Sequence, residues 1–145
     1  MPAAPTLRVG TDLCSIGDVE DSIERFGDRY LRRVYTDAEL AYCEGTPHRT
    51  AERLAARFAA KEATMKVLHM TDARPDWRTI EVCPHPGGWC EIELAGSAAD
   101  LARDAGIDSL AMSMSHHAGH ATAVVVATLS PTAATTAAPT PGEDR

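Results

Sequence analysis

One predicted helix carries charged side chains at a spacing that could do chemistry. Phe58, Glu62 and Lys66 follow one another at i, i+4 and i+8, so they lie along one line of that helix. Phe58 is expected to point inward, which would put Glu62 at the edge of the buried stripe, where carboxylates are uncommon unless paired. The simpler interpretation is an ion pair from Glu62 to Lys66, with Arg57 and Lys61 in solvent. Taken alone, the helix favours this simpler interpretation.

A second carboxylate strengthens the functional interpretation. Asp12 ends the first predicted strand directly after Gly10 and Thr11, and a glycine there lets a ligand or a neighbouring backbone approach closely. An aspartate at a strand end is more often a turn or helix cap. Beside Glu62, however, it would supply a second hard oxygen ligand of the kind that holds Mg²⁺ on a phosphate substrate. Lys66 would then be a point charge within reach of those phosphates.

A third group of polar side chains lies near the end of a predicted strand. Strand alternation puts Ser113 and Ser115 on one face, and His116 begins the turn that follows. His116, His117 and His120 together suggest a transition-metal site. No cysteine or carboxylate cluster lies near them in sequence, so a polar hairpin tip is the preferred interpretation.

The elements that would position these residues alternate irregularly between strand and helix. This order predicts an α+β fold, with a small antiparallel sheet packed against a long central helix. Thr36 and Glu39 form a capping box that opens one helix, and Thr50 is expected to cap the longest one. The strands are predicted at 6–12, 79–84, 90–95, 109–115 and 121–129, and the helices at 15–33, 36–44, 51–68 and 97–105.

Composition excludes several classes of protein. The 145 residues suffice for one domain, and the net charge of −7 argues against nonspecific nucleic-acid binding. The longest strictly apolar run, 123–127, is too short to cross a bilayer, and the N-terminus does not resemble a secretion signal. We therefore expect a cytoplasmic protein without a membrane anchor, whose four cysteines are reduced thiols. Residues 1–129 are predicted to form the domain, and 130–145 a disordered tail rich in Pro, Thr and Ala.

The segment 57–66 (RFAAKEATMK), with Gly10-Thr11-Asp12 and 113–116 (SMSH), resembles the 4′-phosphopantetheinyl transferases, specifically the small holo-(acyl carrier protein) synthase type. The resemblance covers about residues 6–129. It implies Mg²⁺-dependent transfer of the 4′-phosphopantetheine arm of coenzyme A to a serine of an apo acyl or peptidyl carrier protein, releasing adenosine 3′,5′-bisphosphate. It also implies a homotrimer with active sites in the clefts between subunits.

The same resemblance implies roles for individual positions. Asp12 and Glu62 would ligate Mg²⁺, and Glu62 and Lys66 are the catalytic candidates. The preferred general base is Glu62 acting through a metal-bound water, whereas Lys66 would first have to lose its proton. The residues implied to contact coenzyme A are Arg57, Lys61, Lys66, Ser115 and His116.

Two departures from the family pattern bear on function. No glycine follows Lys66 in segment 67–71, where the family has a glycine-rich loop close to coenzyme A. The first helix is usually basic and faces an acidic carrier protein, whereas here it begins with acidic residues. The hypothesis is a less acidic carrier, such as a domain of a polyketide or peptide synthase, or docking through the arginines that follow. The acidic positions are Asp18, Glu20, Asp21 and Glu24, and the basic ones are Arg25, Arg29, Arg32 and Arg33.

Two alternatives to the transferase remain open. An idle member of the family would bind a carrier protein or coenzyme A without transferring anything, and the missing glycines favour it. A structural α+β oligomer would use Asp12 and Glu62 as caps and ion-pair partners. It would show no Mg²⁺-dependent stabilisation by coenzyme A.

Overall fold

A computed structural model describes residues 6–71 and 76–131 of the chain. Helices and strands alternate irregularly within these ranges, and all strand pairs are antiparallel, which confirms the predicted α+β class. A single turn of 3₁₀-helix, Trp77–Thr79, precedes the second strand. The elements in chain order are β1 (Leu7–Ser15), α1 (Ile16–Phe26), α2 (Asp28–Val34), α3 (Asp37–Cys43), α4 (Pro47–Val67), β2 (Ile80–Pro84), β3 (Cys90–Leu94), α5 (Gly96–Ala105), β4 (Ile107–His117) and β5 (His120–Leu129).

The strands form two separate antiparallel sheets. β5 lies between β1 and β4 in a three-stranded sheet, and β2 pairs with β3. In the larger sheet Asp12 lies opposite Ala123, which lies opposite Met114. Because side chains alternate between faces, this row faces α4 and the neighbouring rows face away from it. The outward face carries exposed apolar side chains at Leu7, Val9, Leu13 and Val124.

The central helix α4 organises the core. It packs against the larger sheet, α1, α3 and β2. Ala55, Ala59 and Ala63 along it have no exposed surface, so neighbouring elements approach its backbone closely. Gly10 makes the closest approach, since a Cβ there would lie 2.1 Å from the Ala63 carbonyl oxygen. The glycine before Asp12 is therefore required by packing.

Several predicted boundaries are corrected by the structure. The expected single helix over 15–33 breaks at Gly27, whose φ of 54° is a left-handed conformation that favours glycine. Thr46, and not Thr50, caps α4, since its side chain accepts from the Arg49 amide and Pro47 occupies the first turn. Ser97 does not cap α5, because that helix already begins at Gly96.

Other local predictions are confirmed. Thr36 and Glu39 form the capping box at the start of α3, and Gly106 ends α5 in the left-handed conformation. None of the helices in the described ranges is long and apolar enough to span a membrane. From residue 132 onward, the predicted tail lies outside the described residues.

Candidate active site

Strand β1 and helix α4 bring three predicted site residues together. Lys66 Nζ donates to the Thr11 carbonyl oxygen at 2.7 Å and to Asp12 Oδ1 at 3.3 Å. Glu62 lies one helical turn before Lys66 and is close enough to Asp12 for their charges to interact. The side chain of Asp12 is 20% exposed and that of Lys66 is 54% exposed, so the group opens to solvent. Residues far apart in sequence thus form one cluster.

The cluster concentrates negative charge. Burial raises the pKa of the Glu62 carboxyl, the charge of Asp12 raises it further, and Lys66 opposes both effects. Burial, with the nearby charges of Asp12, Asp18 and Glu62, also raises the pKa of the Cys14 thiol to about 11. Two carboxylates that repel each other and share one ammonium fit a divalent cation. The oxygen donors are of the type that Mg²⁺ prefers.

The structure corrects the prediction for Lys61. This side chain has no exposed surface, and its Nζ lies 2.9 Å from Glu39 Oε2 on α3. Nζ also donates to the carbonyl oxygens of Trp77, at 3.1 Å, and Ile80. Burial lowers the pKa of Lys61, although the carboxylate of Glu39 counteracts this effect. Lys61 therefore joins α3, α4 and β2 in the core and is neither in solvent nor free to contact coenzyme A.

Arg57 is also buried, contrary to the solvated position of the simpler interpretation. Only 3% of its surface is exposed, and its Cζ lies 4.8 Å from the centre of the Tyr42 ring. Its Nη1 donates to the Arg53 carbonyl oxygen at 3.2 Å. Its Nε is a buried donor without a hydrogen-bond acceptor in the described part of the chain. A guanidinium with an unused donor is suited to bind an anion.

Arg57 borders a cavity of about 220 Å³ that also contains Ser115 and His116. His116 Nε2 lies 3.5 Å from Glu52 Oε1, a contact that is an ion pair when the imidazole is protonated. Asp12, Glu62 and Lys66 do not line this cavity. On a single chain, the predicted site residues therefore form two groups, and Lys61 belongs to neither.

A groove that the sequence did not predict runs beside the carboxylates. It holds about 290 Å³ between the end of β1 and α4, and Cys14, Tyr30 and Phe58 contribute to its walls. Tyr30 also borders a neighbouring cavity of about 270 Å³ with Phe26, Arg29 and Arg33. Tyr30 is held in place by a 3.0 Å hydrogen bond between its hydroxyl and that of Tyr35. The groove and the cavity at the α2 arginines therefore share the side chain of Tyr30.

Within the described residues, the histidines at the tip of β4 and β5 do not group at the spacing that metal ligands need. In the ranges 6–71 and 76–131, the one group of three side chains with metal-ligand spacing is Glu81, Cys83 and Glu93, on the other hairpin. Burial and a hydrogen bond to Glu81 raise the pKa of the Cys83 thiol to about 12, so it is protonated at neutral pH. This group is separate from Asp12 and Glu62.

The segment after Lys66 makes its turn without the glycine of the family pattern. His69 takes a φ of 52°, and its amide donates to the Lys66 carbonyl oxygen at 3.2 Å. The Met70 amide donates to the Met65 carbonyl oxygen at 3.0 Å. A histidine thus occupies the left-handed position at the helix C-terminus that glycine usually fills.

Comparisons with known proteins identify the family of this chain. Residues 8–125 match the sequence profile of the 4′-phosphopantetheinyl transferase superfamily. The chain is 42% identical over 120 residues to a holo-[acyl-carrier-protein] synthase of Moorella thermoacetica, covering 83% of this chain and 92% of that protein. It is 41% identical over 122 residues to the synthase of Koribacter versatilis, covering 83% and 96%.

Solved structures with a similar fold belong to the same family. The Helicobacter pylori holo-[acyl-carrier-protein] synthase in complex with coenzyme A superposes with a TM-score of 0.72 at 30% identity, covering 83% of this chain and all of that one. The complex of the Chronobacterium ammoniagenes ACPS with coenzyme A superposes with a TM-score of 0.75 at 28% identity. The superposition covers 87% of this chain and 99% of that one. Sequence and fold therefore agree that this chain belongs to the 4′-phosphopantetheinyl transferase superfamily, among the holo-[acyl-carrier-protein] synthases.

Proposed function

We propose that this protein transfers the 4′-phosphopantetheine arm of coenzyme A to a serine of an apo carrier protein and releases adenosine 3′,5′-bisphosphate. The convergence of Asp12, Glu62 and Lys66 from β1 and α4 carries the proposal. The names of the relatives and the coenzyme A complexes of the solved structures support it. The four cysteines are free thiols, in keeping with the cytoplasmic location that we propose.

The proposed reaction is a displacement at phosphorus. The serine Oγ forms a bond to the β-phosphorus of the coenzyme A pyrophosphate, and the bond to the bridging oxygen breaks, so adenosine 3′,5′-bisphosphate leaves. Asp12 and Glu62 would hold Mg²⁺, which supplies neutralisation of the pyrophosphate charge. Lys66 binds and orients the pyrophosphate. Glu62 is the favoured acceptor of the serine proton, since Lys66 Nζ already donates hydrogen bonds to Asp12 Oδ1 and to the Thr11 carbonyl oxygen.

The second group of residues fits the remaining phosphate of coenzyme A. If the pyrophosphate lies at Lys66, the 3′-phosphate of the adenosine needs a separate cationic site. Arg57 provides a cationic side chain at one cavity, and the imidazole of His116 and the hydroxyl of Ser115 can add hydrogen bonds. We therefore assign the adenosine end of coenzyme A to this cavity.

We further propose that the protein is a homotrimer whose subunits share each active site. The two groups of site residues border different parts of one chain. The outward face of the larger sheet leaves Val9 66% and Leu13 67% exposed, and apolar side chains in such a row favour burial against another surface. In the proposed trimer these faces pack together, and the Asp12 cluster of one subunit lies beside the Arg57 cavity of the next.

The Val9→Asp variant tests the trimer. A charge on the outward face would be buried without a partner, so the variant is expected to be monomeric and to load carrier at less than about one hundredth of the wild-type rate. Light scattering after size-exclusion chromatography measures the mass. Ser97→Asp, an exposed position on α5, is the control and is expected to stay trimeric. A monomeric wild type, or a trimeric Val9→Asp, would contradict the proposal.

The carrier protein is proposed to dock beside the α2 arginines. The cavity of Phe26, Arg29 and Arg33 shares Tyr30 with the groove at the end of β1, and that groove begins one residue after Asp12. The acidic side chains of α1 are exposed and would repel a strongly acidic partner. We therefore retain the less acidic carrier, such as a polyketide or peptide synthase domain, as the preferred substrate over a fatty-acid-synthesis carrier.

Charge reversal on α1 tests this preference. Replacing Asp18, Glu20 and Glu24 by lysine is expected to raise kcat/KM for a strongly acidic carrier roughly tenfold at low salt. The reason is that these side chains would no longer repel the carrier during encounter. The gain should shrink as salt is added. Loading rates measured on one acidic and one near-neutral carrier provide the comparison. Unchanged kcat/KM for the acidic carrier would show that α1 does not select partners.

Intact-mass spectrometry tests the activity itself. An apo carrier incubated with this protein, coenzyme A and Mg²⁺ is expected to gain about 340 Da, the mass of one phosphopantetheine arm. Coenzyme A binding without any mass gain on several carriers would favour the idle family member. Absence of Mg²⁺-dependent stabilisation by coenzyme A would favour the structural oligomer.

A further inference from the structure

The guanidinium of Arg57 is held in an unusual way. A buried N–H group without an acceptor is unfavourable, and the Nε of Arg57 is such a group within the described residues. The Nη1 hydrogen bond to Arg53 is local, since the two residues are one turn apart on α4. The orientation of the guanidinium plane therefore depends on what covers it.

The ring of Tyr42 lies against this guanidinium group. It lies 4.8 Å from Arg57 Cζ, at a distance where the π-face of an aromatic ring attracts a cation. Tyr42 is itself 53% exposed, whereas the adjacent Cys43 is fully buried and anchors α3 in the core. Loss of the Tyr42 ring would therefore remove a cover from Arg57 without opening a hole in the core.

Tyr42 and Arg57 border the same cavity, together with His116. The cation that would meet a phosphate here is thus fixed from the α3 side by an aromatic ring. A planar guanidinium that is already oriented loses less conformational freedom when it binds an anion. The orientation of the guanidinium should therefore affect mainly the affinity for the ligand group that Arg57 itself contacts.

We propose that Tyr42 is a positioning residue that orients the Arg57 guanidinium and thereby sets the affinity for the 3′-phosphate of coenzyme A. This inference rests on the proposed function, which assigns the adenosine end to the Arg57 cavity. Tyr42 acts through Arg57 and takes no part in the chemical step.

The test compares two ligands that differ by one phosphate. Dissociation constants for coenzyme A and 3′-dephospho-coenzyme A are measured by calorimetry on the wild type, Tyr42→Phe and Tyr42→Leu. Tyr42→Leu is expected to raise Kd for coenzyme A roughly five- to tenfold, the range of a partly desolvated cation–π contact, and to change Kd for the dephosphorylated ligand by less than about twofold. Tyr42→Phe keeps the ring and is expected to bind like the wild type. In carrier loading, KM for coenzyme A should rise in Tyr42→Leu while kcat stays unchanged.

Two controls separate positioning from a general effect. Trp89→Leu removes an exposed ring that stacks on His85, outside the cavity, and should leave Kd for coenzyme A unchanged. In an Arg57→Ala background, Tyr42→Leu should have no further effect on Kd, because the residue through which it acts is gone.

Several outcomes would overturn the inference. An equal rise in Kd for both ligands, an additive effect in the Arg57→Ala background, or weak binding by Tyr42→Phe would each show that Tyr42 does not act by orienting Arg57. If the wild type loads carrier and Tyr42→Leu binds coenzyme A normally, the positioning role fails and the proposed function stands. If the wild type neither binds coenzyme A nor loads carrier, both fail.

Discussion

Replacing Glu62 by glutamine, or Asp12 by asparagine, is expected to slow carrier loading by about a thousandfold. Each substitution removes one of the two charged oxygen donors that would hold Mg²⁺. The shapes of the side chains are nearly preserved, so the loss is one of charge rather than of packing. Glu62→Gln also removes the favoured acceptor of the serine proton, and it is expected to be the more damaging of the two.

The same substitutions should cost little folding stability. Asp12 and Glu62 repel each other, as the raised pKa of Glu62 shows. Neutralising either residue relieves that repulsion. Asp12→Asn weakens only an ion pair with Lys66, whose side chain is half exposed, and such pairs contribute about 0–1 kcal/mol. A large loss of activity with an unchanged Tm would separate a functional site from structural caps and ion pairs.

Intact-mass spectrometry measures carrier loading over a range of Mg²⁺ concentrations. Thermal unfolding measures Tm with and without coenzyme A and Mg²⁺. The Mg²⁺-dependent rise in Tm should disappear in both variants. Asp100→Asn, which neutralises an exposed acid on α5, is the control and should behave as wild type. Wild-type loading by either variant would place the metal elsewhere, whereas unfolding of both would support the structural interpretation of these carboxylates.

The carboxylate cluster could be predicted from sequence because each part has a local signal. Gly10 marks a close approach of backbones, and it does meet Ala63 of α4. The four-residue spacing of Glu62 and Lys66 puts both on one line of a helix. Only the pairing of β1 with α4 is non-local, and the resemblance to a family supplied it.

The simpler interpretation of the same helix is wrong for the residues just before Phe58 and Glu62. It places Arg57 and Lys61 in solvent, where charged residues usually lie, whereas both are buried. From Ala51 to Val67, however, α4 is covered by the larger sheet, by α1 and α3 and by β2, and Lys66 is the one exposed residue of that stretch. Hydrophobic periodicity cannot orient a helix that is buried on most sides. The sequence also does not reveal the ion-pair partner of Lys61. That partner is Glu39, whose capping box already accounts for a glutamate at this position.

Tyr42 and Tyr30 were missed for a different reason. Neither lies in a motif, and only the fold brings Tyr42 over Arg57 and Tyr30 to the end of the groove. Aromatic residues make up 5% of the chain, so an aromatic side chain that borders a cavity was the one available signal. That signal becomes useful only after the cavity is known.

Replacing Lys61 by methionine is expected to lower the free energy of unfolding by about 3–5 kcal/mol. The substitution leaves the fully buried carboxylate of Glu39 without its cation. Glu39 would keep hydrogen bonds from the amides of Thr36 and Val82, each at 2.8 Å. Those bonds hold the carboxylate in place, so it cannot turn to solvent. A loss of this size is a large part of the stability of an ordinary domain.

The chain offers a matched control, since Lys61 and Lys66 are its two lysines. Lys66→Met removes a half-exposed ion pair and should cost less than about 1 kcal/mol, while lowering activity. Urea unfolding at one fixed protein concentration measures both variants, because association contributes to apparent stability.

The double variant Lys61→Met/Glu39→Gln decides between a structural and a ligand-binding role for Lys61. Neutralising Glu39 removes the unpaired buried charge, so the double variant should be more stable than Lys61→Met alone. A direct contact with coenzyme A predicts the opposite pattern: Lys61→Met would fold as the wild type does, and KM for coenzyme A would rise. That result would return Lys61 to the site. The expected result would show that the lysine beside Glu62 in the KEA segment sets the position of α4 against α3 and β2, on which the placement of Glu62 depends.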